Sequence, residues 1–262
     1  MLHHFSLLFT RKLLILAVFN CLSISVAYSQ IAPENSFTNL KDALQNPQVV
    51  QKLDFFMVLT EVPDEISQFP NLKVLLIDRH KLSKLPKGLG TLKYLEVLSA
   101  ESNQLSALPR EITECKMLSS INLKNNLFKE WPVELDFLKD AVEINLSENQ
   151  ITALHDDIQS LKKIETLVLS QNKIETLSSK IGELGNLEKL YLDKNSLTNL
   201  PEAIGDLKKL RILDISENKI TRLPYTISNL KKLQTIRIYN NPISEKELKR
   251  IKTLLPQVDL QY

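Results

Sequence analysis

Glycine is scarce in this chain, at 5 of 262 residues. Loops that cradle phosphate need several glycines where the backbone approaches the anion, so a dinucleotide-binding or P-loop reading is poorly supported. A collagen-like chain is excluded on the same count. Cysteine (2), histidine (4) and tryptophan (1) are rare as well, and aromatics make up 6%. Neither sign of charge dominates: 33 basic against 31 acidic residues leave no basic field for nucleic acid and no acidic tail. Leucine and isoleucine are what the chain has instead, 49 and 22 residues respectively. Such an excess of two apolar types points to a repeat.

The first 29 residues form a separate object. Arg11 and Lys12 precede an apolar run from Leu13 to Ala27, and the small residues Ala27 and Ser29 bracket Tyr28. This is the layout of a secretory signal peptide cut after Ser29. An uncleaved anchor is the alternative, but the run is shorter than the roughly 20 apolar residues needed to span a bilayer. Cys21 follows Val18, Phe19 and Asn20 rather than small residues, which argues against a lipoprotein. Cleavage leaves 31 basic and 31 acidic residues, with Cys115, His80 and His155 as the remaining thiol and imidazoles. One cysteine forms no internal disulfide, and this set makes a structural zinc site improbable, so no metal or cofactor is expected.

A 23-residue period governs the remainder. Asn103, Asn126, Asn149, Asn172, Asn195, Asn218 and Asn241 fall on one lattice, with His80 one step earlier. Pro63, Pro86, Pro109, Pro132, Pro201 and Pro224 keep the same spacing, with His155 and Ser178 filling the two gaps. The unit is clearest from Leu187 to Lys209, LEKLYLDKNSLTNLPEAIGDLKK. Seven units run from Leu72 to Lys232, a 22-residue unit (Val50 to Asn71) precedes them, and a last strand from Leu233 to Asn241 follows. Leu190 and Leu192 sit two apart, the period of a strand, so Lys189, Tyr191 and Asp193 face the other way. The ladder asparagine lies where the chain leaves the strand, and its amide both donates to and accepts from neighbouring turns. Proline then opens an extended or short helical return at a position that needs no amide donor.

This pattern, from Val50 to Ile243, resembles the leucine-rich repeat proteins, in the Leu-Pro-x-x-Ile variety. It is similar both to exported bacterial members, spirochaetes included, and to the plant intracellular Ras-group-related and Ras-suppressor class. The resemblance implies an α/β solenoid with a curved parallel sheet on its concave side, short convex segments, and capped ends. It also implies a scaffold for protein recognition. A short helix at Asn39 to Gln45, within residues 30–49, is the expected upstream cap. Residues 244–262 form the downstream cap, opened by a capping box of Ser244 and Glu247 and stopped by Pro256.

Candidate binding residues come from the variable strand positions. Lys189, Tyr191, Asp193, Asp214, Arg237 and Tyr239 should lie together, and tyrosine and arginine are the types that most often anchor interfaces. The alternative is a solvated face on which Asp214 and Arg237 pair across strands. A second row, Lys93, Lys116, Lys139, Lys162, Lys208 and Lys231, is read mainly as a solubility feature that complements helical-turn dipoles. It keeps open a second function, recognition of an anionic envelope polysaccharide or other glycan. Cys115 and Trp131 replace leucines and are read as core, and no nucleophile, acid pair or metal motif stands out from the repeat background. The expectation is a non-enzymatic, exported, monomeric binder of a protein ligand, without nucleic acid or a transmembrane segment in the mature chain.

Overall fold

The computed structural model describes residues 31–55 and 58–262. The signal-peptide segment lies outside them. Eleven parallel strands form one sheet in strict sequence order. They are β1 (Ser36–Phe37), β2 (Lys52–Asp54), β3 (Val74–Leu76), β4 (Val97–Ser99), β5 (Ser120–Asn122), β6 (Glu143–Asn145), β7 (Thr166–Val168), β8 (Lys189–Tyr191), β9 (Ile212–Asp214), β10 (Thr235–Arg237) and β11 (Asp259–Gln261). Register follows the repeat, so Leu53, Leu75, Leu98, Ile121, Ile144, Leu167, Leu190, Leu213 and Ile236 stack in one column. All nine are fully buried. Each removes its apolar surface from water against the next repeat, at about 25 cal/mol per Å².

The convex side is a row of five-residue 3-10 helices, from Asp64–Gln68 to Tyr225–Asn229. The proline column occupies their N-cap positions, as Pro201 does at φ −66° and ψ 150°. Where proline is missing, the substitute keeps the backbone geometry and adds a side-chain cap. Ser178 Oγ accepts from Lys180 N at 3.0 Å, and His155 Nδ1 accepts from Asp157 N at 3.4 Å. Glycine appears where convex segments approach most closely: a Cβ on Gly205 would lie 2.4 Å from the Thr226 carbonyl oxygen. The sharp turns after β3 to β10 use no glycine. Arg79, Ser102, Asn125, Glu148, Gln171, Lys194, Glu217 and Asn240 all take φ between 52° and 62°, the left-handed region.

Asparagine completes that turn. In Asn172, Nδ2 donates to the carbonyls of Leu146 (2.9 Å) and Leu169 (3.0 Å), while Oδ1 accepts from Ile151 N (2.9 Å). The same bonds recur at the other six ladder asparagines, Asn103, Asn126, Asn149, Asn195, Asn218 and Asn241. His80 departs from this pattern. Its Nδ1 accepts from Leu59 N at 3.3 Å, whereas its buried Nε2 has no partner. A planar ring fills the site but cannot turn a second polar atom onto the carbonyls that the carboxamide reaches.

Both caps contain a strand that the sequence pattern does not reveal. β1 adds to the sheet ahead of α1 (Leu40–Ala43), whose N-cap Asn39 accepts from Asp42 N at 2.9 Å. β11 pairs with β10 after α2 (Glu245–Leu254). Only half of the expected capping box forms. Ser244 Oγ accepts from Glu247 N at 3.2 Å, but the Glu247 carboxylate turns away to accept from Leu223 N (3.0 Å) and from Arg250 Nε (2.8 Å). The acid thereby docks α2 onto the last repeat.

His80→Asn should raise the stability of the chain by about 1 kcal/mol, because it gives the buried polar position partners that the imidazole lacks. Urea unfolding checks this; an unchanged or lower midpoint at constant slope would contradict the account of the turn.

Candidate functional site

The variable residues of the strands project from the sheet opposite the core and stand about 4.8 Å from their counterparts on adjacent strands. This face changes character along the solenoid. At β3 and β4 it is apolar: Val74, Leu76 and Val97 are buried together, and Ile31 packs over them. The chain's own upstream segment therefore covers this end. Towards the middle a polar network takes over. Asp78 accepts from Ser99 Oγ (2.6 Å) and Glu101 N (2.7 Å), Asn122 Nδ2 donates to Glu101, and Lys124 lies between Glu101 (3.9 Å) and Glu148 (3.2 Å).

A cleft of about 290 Å³ opens between β6 and β8. Its walls include Glu143, Thr166, Val168, Lys189, Tyr191 and Asp193. Lys189, Tyr191 and Asp193 from the expected patch are thus brought together here. Asp214, Arg237 and Tyr239 lie beside it. Register places Tyr191, Asp214 and Arg237 opposite one another on β8, β9 and β10. Asp214 is 6% exposed; it accepts from Ser216 Oγ (2.6 Å) and from Arg237 (3.2 Å). Arg237 also donates to Gln261 Oε1 at 2.9 Å, so its guanidinium is held on two sides. The cross-strand pairing of Asp214 and Arg237 is therefore present, and it leaves Tyr191 and Tyr239 as the less engaged members of the patch. Ser170 Oγ donates to Asp193, and burial raises the pKa values of both Asp193 and Tyr191.

Glu143 was not among the residues singled out from the sequence. It is 4% exposed, and burial pushes its carboxyl up to about 7 against the opposing pull of the Lys189 ammonium. Its column reads Val74, Val97, Ser120, Glu143, Thr166, Lys189, Ile212 and Thr235. Within the repeats this column is otherwise apolar, hydroxylic or basic, and an acid recurs in it only at Asp259 of the cap strand β11, so an acid inside the repeats is the signal that could have marked it.

The other irregular positions resolve differently. Cys115 is buried, its thiol directed at the Leu89 carbonyl (3.2 Å), and burial pushes its pKa up to about 11, which suits packing rather than nucleophilic chemistry. Trp131 is buried and donates from Nε1 to Asp136 Oδ1 at 2.9 Å. Asp136, His155 and Asp157 are the donor set with metal-like convergence among the described residues. His155 and Asp157 are exposed, and the imidazole's Nδ1 is the cap acceptor of its own turn. The lysine row is largely engaged: Lys93 with Glu114 (3.5 Å), Lys162 with Glu183 (3.3 Å), Lys208 with Asp206 (3.8 Å), and Lys116 and Lys231 on the carbonyls of Thr113 and Ser228. Lys139 completes the row as an exposed residue.

The sign of the Glu143 contribution follows from its raised pKa. Its folded value lies above the ordinary 4.5, so its neutral form is compatible with the fold below about pH 4.5, and the ionised form weakens the fold as pH rises through about 7. Glu143→Gln should therefore be nearly neutral at the acid end and stabilising above pH 7, by about 1–3 kcal/mol. Urea unfolding of both proteins at the two ends of that window measures it, and a pH-independent difference would refute the assignment.

Comparison with known proteins agrees with this architecture. The pattern that defines the leucine rich repeat family matches residues 141–197 and 185–243. Among solved structures, a leucine-rich repeat protein of Leptospira interrogans is 34% identical with a TM-score of 0.68, over 82% of this chain and 62% of that protein. The ectodomain of the Arabidopsis thaliana receptor kinase GASSHO1/SCHENGEN3, solved in complex with Casparian strip integrity factor 2, is 28% identical with a TM-score of 0.60, over 76% of this chain and 28% of the ectodomain. The chain therefore spans less than two thirds of either relative. Comparison with curated proteins gave no match. The register of eleven parallel strands, the 23-residue unit and these likenesses together make the chain a leucine-rich repeat protein.

Proposed function

We propose that the chain is an exported, non-enzymatic scaffold that binds a protein ligand on its strand face. Lys189, Tyr191, Asp193, Asp214, Arg237 and Tyr239 form the contact patch. The observation that carries this reading is the cleft between β6 and β8, a concave site walled by an aromatic ring and charged groups on a rigid sheet. The paired Asp214 and Arg237 present a pre-ordered, nearly neutral surface, so Tyr191 and Tyr239 supply the contact area that arginine was expected to share. A plant ectodomain of the same architecture, solved in complex with its factor, supports a polypeptide as the ligand class. Neither a cofactor nor a second copy of the chain enters this reading. Among the described residues no helix is long and apolar enough to cross a membrane.

Glycan recognition through the lysine row ranks second, because most of those ammonium groups already meet carboxylates or turn carbonyls. Capture of one host protein on the immobilised chain, insensitive to moderate salt and weakened about tenfold or more by Tyr191→Ala, is the expected result. Salt-sensitive retention on an anionic glycan, abolished by changing Lys162, Lys208 and Lys231 to Glu, would replace it with the second reading. Export is checked separately: the N-terminal residue of the protein isolated from its host should be Gln30, and an intact Met1 in the cytoplasm would refute it.

A further inference from the structure

Among the described residues, other buried or half-buried carboxylates have partners. Asp78 has Ser99 and Glu101 N, Asp136 has Trp131, Asp214 has Ser216 and Arg237, and Glu247 has Leu223 N and Arg250. Glu143 differs. It is 4% exposed, yet among the described residues none donates a hydrogen bond to its carboxylate or forms an ion pair with it. Lys189, in the same column, stands two strands away across Thr166. The Glu143 oxygens are not fully enclosed and keep contact with solvent at the cleft, but most of the side chain is removed from water, which disfavours the ionised form unless a partner arrives.

The repeat lattice shows that the fold itself does not demand an acid here. The equivalent residues on the three preceding strands are Val74, Val97 and Ser120, and the next is Thr166. Each maintains the same strand pairing. The carboxylate is therefore an addition to the scaffold, and its open side faces the cleft.

We propose that Glu143 anchors a guanidinium: an arginine side chain from an extended segment of the protein ligand enters the cleft and pairs with the carboxylate. This deepens, and rests on, the strand-face reading above. The cleft is at the small end of ligand pockets, a size that suits one long side chain better than a whole small molecule. Arginine fits its chemistry on three counts. The planar fork donates two parallel hydrogen bonds to one carboxylate. Its weak hydration lowers the cost of entering a desolvated site. Its face stacks on an aromatic ring, and Tyr191 supplies one, with Val168 as the apolar wall for the aliphatic stem. The Thr166 hydroxyl and Lys189 ammonium then meet acceptors of the same segment.

Selection of displayed short random peptides on the full-length protein tests the inference. Enriched peptides should share an arginine. A synthetic representative should lose about tenfold or more in affinity for E143Q, and as much when its arginine is replaced by citrulline, which keeps the shape and removes the charge. The two losses should not add, since each removes the same pair. E143Q must melt no lower than the parent, which separates lost recognition from lost folding. Peptides that need Tyr191 but ignore both E143Q and citrulline would overturn the anchor and leave the strand-face reading standing. A lysine replacement with full affinity would overturn the guanidinium assignment, and a selection without any peptide sensitive to Tyr191→Ala or E143Q would overturn both.

Discussion

Each ladder carboxamide makes three bonds across two successive turns of the solenoid, and the spacing of everything else depends on it. Asn172 takes a carbonyl from its own turn, a carbonyl from the turn before, and an amide from the segment leading out of that earlier turn. No other neutral side chain of that length offers two donors and an acceptor in one plane. The left-handed residue ahead of it, Gln171 in this case, costs about 1–2 kcal/mol in a non-glycine side chain. That cost is tolerated because the bend also aims Gln171 N at the Asp193 carbonyl, 2.8 Å away on the next repeat. Turn strain and ladder bonding are thus one device, repeated without glycine.

Once register is fixed in this way, the chemistry of the strand face is decided by which residues stand 23 positions apart. Asp214 and Arg237 neutralise each other because one repeat length separates them. Lys124 meets Glu101 one repeat before it, and also Glu148, which sits one residue past its register partner Ser147, so it is held by two carboxylates. Such pairs are fixed by the lattice before any ligand arrives, so a raw inventory of charged residues overstates what is available for binding. Availability depends on the register neighbours of each residue. Glu143, flanked by Ser120 and Thr166, has no counter-charge on the adjacent strands.

The long-period features were legible in the sequence because they are local and repeated. Leucine columns, the asparagine lattice and the proline positions each follow from spacing alone. β1 and β11 were not, since strands of two or three residues are too short to show alternation and acquire their bonds only from β2 and β10. The diversion of Glu247 to Leu223 N was hidden for a similar reason: a motif in sequence specifies which bond is within reach, while packing of α2 on the last repeat decides which one forms. The burial of Glu143 belongs to three adjacent repeats together, and its own repeat gives no hint of it beyond the oddity of an acid in that column. Among the six patch residues, strand position put Lys189, Tyr191 and Asp193 on the variable face where the cleft lies, but it could not tell that Arg237 would be held by Gln261 of β11, a strand not foreseen.

Capping also dictates where on the sheet a ligand site can be. A parallel sheet leaves unpaired edges at both ends, and each must be closed by chain that does not belong to the repeat. At the upstream end that closure extends over the strand face, where Ile31 covers Val74, Leu76 and Val97. At the downstream end β11 brings Gln261 against Arg237 and ties up the guanidinium. Both devices stabilise the ends by consuming the surface that the ends would otherwise present. The face remains open between them, over β6 to β8, where the cleft lies and where the nearly enclosed Glu143 turns a carboxylate that has no hydrogen-bond partner among the described residues. The middle of the solenoid, where the proposed recognition site lies, is therefore the part of the strand face that the protection of the ends leaves free.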